Sequence, residues 1–200
     1  MKQLVLATNN KHKAGEFQSL MSDLGVEILT LDQFPQIGEI VEDADTLEGN
    51  AEKKAAEVFR ATHLPTLADD SGLEVHYLNM EPGVFSSRYA GPGATYADNC
   101  NKLLVNLRGV PPRRRAARFR CVLCFLARDD GRSVEEGVCR GVIIESPRGN
   151  NGFGYDPIFL PDGSSRTLAE MSSIEKNSLS HRAGAVRLIR PHLISYFQTK

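Results

Sequence analysis

The chain has 200 residues, 41% hydrophobic and 24% charged, with 24 Lys and Arg against 25 Asp and Glu for a net charge of −1. Such a balance gives no general electrostatic hold on nucleic acid or an anionic membrane, so any polyanion site must be local. No apolar run approaches the ~20 residues that cross a bilayer, and Met1-Lys2-Gln3 runs straight into strand-like residues. The expectation is a cytoplasmic protein, residues 1–200 forming one domain with a sizeable core.

In chain order, residues 3–7 read as a strand and 8–10 as a loop. Phe17, Leu20, Met21 and Leu24 then recur at helical spacing up to Gly25, a terminator. Residues 27–31 are the next strand. Asp45-Thr46-Leu47-Glu48 has the form of a capping box and opens a second helix near Asp45, running through Leu47, Ala51, Ala55, Val58 and Phe59. Residues 66–68 and 73–78 read as two strands broken by Asp69-Asp70-Ser71-Gly72, and residues 95–107 as a third helix. The middle is a hairpin of residues 118–127 and 134–144, turning through Asp129-Asp130-Gly131. A short strand at 158–160, the turn Pro161-Asp162-Gly163 and a helix near 167–171 follow. The last helix starts about Ser180 and buries Val186, Ile189, Leu193 and Phe197, with a kink expected at Pro191. These elements predict an α/β fold: a long bent mixed β-sheet flanked by helices, in two lobes with a cleft between them.

Four stretches carry chemistry. Thr8-Asn9-Asn10-Lys11-His12-Lys13 lies where a strand feeds a helix, so free N–H groups, the positive dipole end and two ammonium groups converge; phosphate fits there, though an exposed capped helix start fits equally well. Glu39, Glu42, Asp43 and Asp45, with Asp69 and Asp70, supply hard oxygen donors that imply Mg²⁺ beside a phosphate substrate, or else a solvated loop and a self-bonded turn. Gly149-Asn150-Asn151-Gly152-Phe153-Gly154-Tyr155-Asp156-Pro157 puts an aromatic ring and an acceptor carboxylate in a glycine-lined backbone that can grip a flat ligand, or a ring that caps the core. Lys176 and Ser180-His181-Arg182 bring donors to a helix start.

Two patterns are set aside. Cys121 and Cys124 have C-x-x-C spacing, but on a strand they point to opposite faces, so all four cysteines read as buried and structural. The run Arg113, Arg114, Arg115, Arg118 and Arg120 has one interleaved aromatic, too few for a single-strand binder; it reads as a solvated loop, with Arg120 a partner for phosphate or carboxylate.

Taken in order, Thr8-Asn9-Asn10-Lys11, Ala68-Asp69-Asp70-Ser71-Gly72, Ser87-Arg88-Tyr89-Ala90-Gly91, Gly152-Phe153-Gly154-Tyr155-Asp156-Pro157 and Ser180-His181-Arg182 resemble the inosine/xanthosine triphosphate pyrophosphatase family over nearly the whole chain. The resemblance implies Mg²⁺-dependent hydrolysis of non-standard purine nucleoside triphosphates to monophosphate and pyrophosphate by a homodimer. It implies that Thr8, Asn9, Asn10, Lys11, His12 and Lys13 bind the triphosphate, that Asp70 is proton acceptor and metal ligand, and that Glu42 and Asp69 are further metal ligands. Lys54, Ser71, Phe153, Gly154, Tyr155, Asp156, Lys176, His181 and Arg182 match substrate-binding positions, with Phe153 stacking on the purine. Gly49 departs from the acidic residue the family usually carries before Asn50-Ala51. The rival readings are a non-catalytic purine-nucleotide-binding regulatory module and a nucleic-acid binder using the arginine run.

Overall fold

The computed structural model describes residues 2–128 and 131–198. Six strands form one mixed sheet in the order β2-β1-β3-β4-β5-β6: β1 Gln3–Ala7, β2 Glu27–Thr30, β3 Thr66–Val75, β4 Ala116–Leu126, β5 Arg132–Ile143 and β6 Phe159–Pro161. β1 runs parallel to β2 and to β3, while β6 is antiparallel to β5. The helices are α1 Lys11–Leu20, α2 Leu47–Thr62, α3 Tyr96–Asn106, α4 Ser173–Leu179 and α5 His181–Gln198. Among the described residues, no helix is long and apolar enough to cross a membrane.

The chain divides into two compact units. The first comprises Met1–Asp70, Cys121–Gly137 and Arg182–Lys200, the second Ser71–Arg120 and Val138–His181. Each has its own core. In the first, Leu4, Leu6 and Leu67 of the parallel strands pack with Phe17, Met21, Cys121, Leu123 and Phe125 and with Val186, Ile189, Leu193 and Phe197 of α5. In the second, Leu73 and Val75 pack with Leu103, Leu107, Phe119, Tyr155, Phe159 and Met171. Fully burying one such large side chain is worth about 1.5–3 kcal/mol, so each unit gathers its own driving force.

Several local expectations change. Residues 66–75 are one unbroken strand, because Asp69 and Asp70 are buried and paired in the sheet instead of solvating a turn. Gly72 permits this continuity, since a β-carbon there would stand 2.5 Å from the Gly83 carbonyl oxygen. α2 starts two residues after Asp45: Thr46 is its N-cap, accepting from Gly49 N–H, and the place three residues on that a capping box fills with Glu is Gly49. α4 is a helix beyond those expected from the sequence, opened by a complete capping box of Ser172 and Glu175. Residues 168–170 make only a 3-10 turn, and α5 continues as one helix through Pro191. Asp129 and Asp130 of the expected hairpin turn lie outside the described residues.

Candidate active site

In the first unit the pairing Ala7↔Ala68 sets the carboxyl end of β1 beside the third residue of β3. The loop leaving β1 therefore starts beside Asp69 and Asp70, at the carboxyl edge of parallel strands where α/β folds bind ligands. Thr8 Oγ1 accepts from Asn10 N–H (3.3 Å), and Asn10 Oδ1 caps α1 by accepting from the N–H groups of His12 (3.0 Å) and Lys13 (3.2 Å). Asn9, Lys11 and His12 are exposed around this helix start. Lys13 turns inward instead, its Nζ 2.8 Å from Asp69 Oδ2. Burial alone pushes the Asp69 carboxyl up, but Lys13, Lys54 and Arg182 together hold it well below the ordinary range. Burial, and then Arg182, work against the Lys13 ammonium, but Asp69 and Asp70 together more than restore it, so the pair is ionised.

Asp70 sits in a different field. Burial raises its pKa above the ordinary carboxylate value, Lys54 and Lys13 oppose the rise, and Glu42 and Asp69 add to it. The buried stripe of α2 includes Asn50 and Lys54, one turn apart on the same face as Leu47, Ala51, Ala55 and Val58. Asn50 Nδ2 donates to Asp70 Oδ2 (3.0 Å), while Asn50 Oδ1 accepts from Ala44 N–H (3.0 Å). One amide thus ties the acidic loop to the strand. Lys54 Nζ pairs with Glu42 Oε1 and lies 3.8 Å from Asp70 Oδ1. Arg182, 2% exposed, is ion-paired with Glu16 and lies 5.6 Å from the Phe17 ring centroid.

The second unit holds the glycine loop. Gly149 (φ +82°) leaves no room for a side chain, because its β-carbon would stand 2.3 Å from the Ala169 carbonyl. Asp156, 2% exposed, organises the loop from inside: its Oδ2 accepts from Phe153 N–H (2.9 Å) and from Lys176 Nζ (2.5 Å). That same ammonium lies 4.8 Å from the Phe153 ring centroid. The half-buried Phe153 ring is thus the loop's partly open surface, and Asp156 is engaged in holding it. Tyr155 OH donates to the Ser86 carbonyl (2.9 Å), and burial pushes the phenol far above its ordinary pKa. Gly154 O accepts from Cys100 Sγ (3.3 Å), the half-buried Ser71 lies in β3, and His181 stacks flat on Phe119 (4.7 Å, 11°).

The structure therefore gathers Lys13, Lys54, Asp69, Asp70 and Glu42 in one unit, and Phe153, Asp156 and Lys176 in the other. Sequence reasoning did not give Glu16, Tyr96 or Cys100 a place here. Glu16 lies 166 residues from Arg182, and no local pattern signals that contact. Tyr96 and Cys100 were legible as one face of a helix, four residues apart. The four cysteines are buried and in no disulfide, and burial raises Cys124 and Cys139 to about 11. In the arginine run, Arg118 Nε (2.6 Å) and Arg120 NH1 (2.9 Å) both bond the Glu74 carboxylate, and Arg115 NH2 donates to the Ile144 carbonyl (3.1 Å).

A mixed six-stranded α/β sheet thus carries the buried carboxylates Asp69 and Asp70 on β3, faced by Lys13 of α1 and Lys54 of α2. The model of the Ham1 family matches residues 4–192, and the chain belongs to that family. A dITP/XTP pyrophosphatase of Lactiplantibacillus plantarum is 47% identical over 184 residues, covering 92% of this chain and 91% of the relative. Another, of Desulfotalea psychrophila, is 43% identical over 200 residues, covering 98% and 89%. Among solved structures, a HAM1 protein from Coxiella burnetii superposes with a TM-score of 0.87 at 40% identity, with 100% of both chains covered.

Proposed function

We propose that this chain hydrolyses non-standard purine nucleoside triphosphates, ITP/dITP and XTP/dXTP, to the monophosphate and pyrophosphate, cleansing the nucleotide pool. Support comes from relatives named dITP/XTP pyrophosphatase at 43–47% identity. The observation that carries the reading is the convergence of Glu42, Asp70, Lys54 and Asn50 beside the phosphate-type helix start of α1.

The donor set fits Mg²⁺. Lys54 Nζ, a single cation, faces both Glu42 and Asp70, so two hard oxygen donors are aimed at one point. Among the described residues, no three His, Cys, Asp or Glu side chains form a closed metal cage. Mg²⁺ asks for less: one or two carboxylates, the rest of its shell coming from water and phosphate oxygens. Glu42 and Asp70 would hold it, while Asp69 is taken up by Lys13. Bound there, the ion supplies neutralisation of phosphate charge and polarisation of the α-phosphorus.

The remaining chemistry belongs to the chain's own residues. Asp70 orients a water and accepts its proton as the oxygen attacks the α-phosphorus; the bond from that phosphorus to the bridging oxygen breaks, and pyrophosphate leaves. Thr8, Asn9, Asn10, Lys11 and His12 hold the triphosphate at the α1 start, and Lys13 and Lys54 balance charge as it develops. Asn50 keeps the Asp70 carboxylate turned. Phe153 stacks on the purine, Lys176 and Asp156 brace that ring, and Ser71 and Arg182 complete the substrate-side set. His181 and loop N–H groups donate to the 6-oxo oxygen. Adenine offers an amino donor there instead, a buried mispairing worth ~1–3 kcal/mol per group, so ATP is a poor substrate.

We further propose that residues 1–200 act as one domain, in a cytoplasmic homodimer, as the family resemblance implies. Light scattering after size exclusion measures the stoichiometry. For the chemistry, Asp70→Asn keeps the fold by circular dichroism and removes pyrophosphate release from ITP; a variant retaining near-wild-type turnover would exclude Asp70 as the proton acceptor.

A further inference from the structure

Phe153 sits between Gly152 (φ +71°) and Gly154 (φ +64°), both in the left-handed region, so the main chain on either side has no β-carbon to stiffen it. Asp156 pins its N–H but leaves the ring to be oriented by other side chains. Lys176 provides one contact. Another comes from Tyr96, whose ring centroid lies 5.8 Å from that of Phe153 at an interplanar angle of 45°. This is the tilted geometry that aromatic pairs prefer, within the usual 4.5–7 Å range.

Tyr96 is the first residue of α3, and that helix start is capped. Thr95 N–H donates to Asp98 Oδ2 (2.9 Å) and Asp98 N–H returns to Thr95 Oγ1 (3.2 Å), a complete capping box. Four residues on, along the same helix face, Cys100 Sγ donates to the carbonyl of Gly154. One face of α3 therefore grips two consecutive loop residues, the ring of 153 through Tyr96 and the main chain of 154 through Cys100. Tyr96 is nonetheless 39% exposed, so its ring extends the open aromatic surface beyond Phe153.

We propose that Tyr96 is a positioning residue for base recognition, holding the Phe153 ring at the tilt from which it stacks on the purine. This rests on the reading of Phe153 as the base-stacking residue. A ring contact of this kind is worth ~0.5–1.5 kcal/mol, which corresponds to a factor of about two to ten in affinity for the base-bearing ligand. The phosphate end of the substrate makes no use of Tyr96.

Steady-state kinetics with ITP, and competitive inhibition by inorganic pyrophosphate, test this. In Tyr96→Ala the KM for ITP rises about two- to tenfold, while kcat and the pyrophosphate inhibition constant stay within about twofold. Tyr96→Phe keeps the wild-type KM, and Tyr96→Leu, which keeps apolar bulk without the ring, follows the alanine variant. An unchanged KM in Tyr96→Ala would overturn the inference, as would a parallel change in KM, kcat and pyrophosphate inhibition, the mark of a merely structural role. If wild-type protein releases pyrophosphate from none of ITP, dITP, XTP and dXTP, the underlying reading fails and the inference with it. Wild-type turnover with an indifferent Tyr96 removes the inference alone.

Discussion

Gly152 faces the carboxylate of Asp156 so closely that a β-carbon on Gly152 would stand 2.1 Å from Oδ2. That oxygen already accepts from Phe153 N–H and Lys176 Nζ, so the missing side chain is what allows one carboxylate to serve as hub of the loop.

Gly152→Ala should therefore be costly for two reasons, the clash and the positive φ of +71°. Backbone strain of this kind costs about 1–3 kcal/mol. The expected outcome is a lower melting temperature together with a raised KM for ITP, read by thermal denaturation and kinetics. Gly154→Ala tests the two terms separately, since nothing lies within 4 Å of its β-carbon position. It meets the φ penalty without the clash and should be milder.

Lys13 and Asp69 form a buried pair in which each charge depends on the other. Removing one partner of a buried pair costs about 3–5 kcal/mol when the survivor is left uncompensated; Lys54 and Arg182 still face Asp69, so the lower end of that range is expected. Lys13→Met should show a loss of that order in urea denaturation. Lys13→Met with Asp69→Leu should regain most of the stability without regaining activity, since the ammonium is still missing from the phosphate end.

Gly49 fits against Ala44: a β-carbon at 49 would lie 2.9 Å from Ala44 Cβ and 3.2 Å from Thr46 Oγ1. Gly49→Glu alone should destabilise by about 1–2 kcal/mol through overpacking. Ala44→Gly in the same chain opens the space, and the new carboxylate can then reach back to the Thr46 N–H as the missing half of a capping box. The double variant should melt above the single one.

Glu175 gives a pH dependence. Hydrogen bonds from Arg166, then from Ser172, lower its pKa from the ordinary 4.5 to about 2. A depressed carboxyl contributes stability that is fully present above 4.5 and lost as pH falls through about 2. Carbon-13 NMR of the side-chain carboxyl should give a midpoint near the lower value, and α4 should lose protection from hydrogen exchange across that interval. Arg166→Ala should move the midpoint up.

Much of this arrangement was readable in the sequence. The unbroken apolar run Leu4 to Ala7 marked β1, the spacing through Ala51, Ala55 and Val58 marked α2, and Asn10 to Lys13 marked the start of α1. What escaped depends on long-range pairing. Asp69-Asp70-Ser71-Gly72 carries turn chemistry and was read as a break, yet it continues β3 because Lys13, Lys54 and Asn50 satisfy the carboxylates from elsewhere in the chain. Arg182 also pairs with Glu16, a partner invisible to any local pattern. Asp156 read as an acceptor for a base, and the structure gives its Oδ2 to the loop and Lys176. Ser172-x-x-Glu175 is a local capping-box signal for a helix of only 7 residues, too short to show an apolar period.

The most direct measurement is pyrophosphate release from ITP, XTP, GTP and ATP, each with Mg²⁺ and with the metal chelated. The account predicts fast release from ITP and XTP, much slower release from ATP, and loss of all release without Mg²⁺. Release from ATP matching that from ITP, or turnover indifferent to chelation, would contradict it.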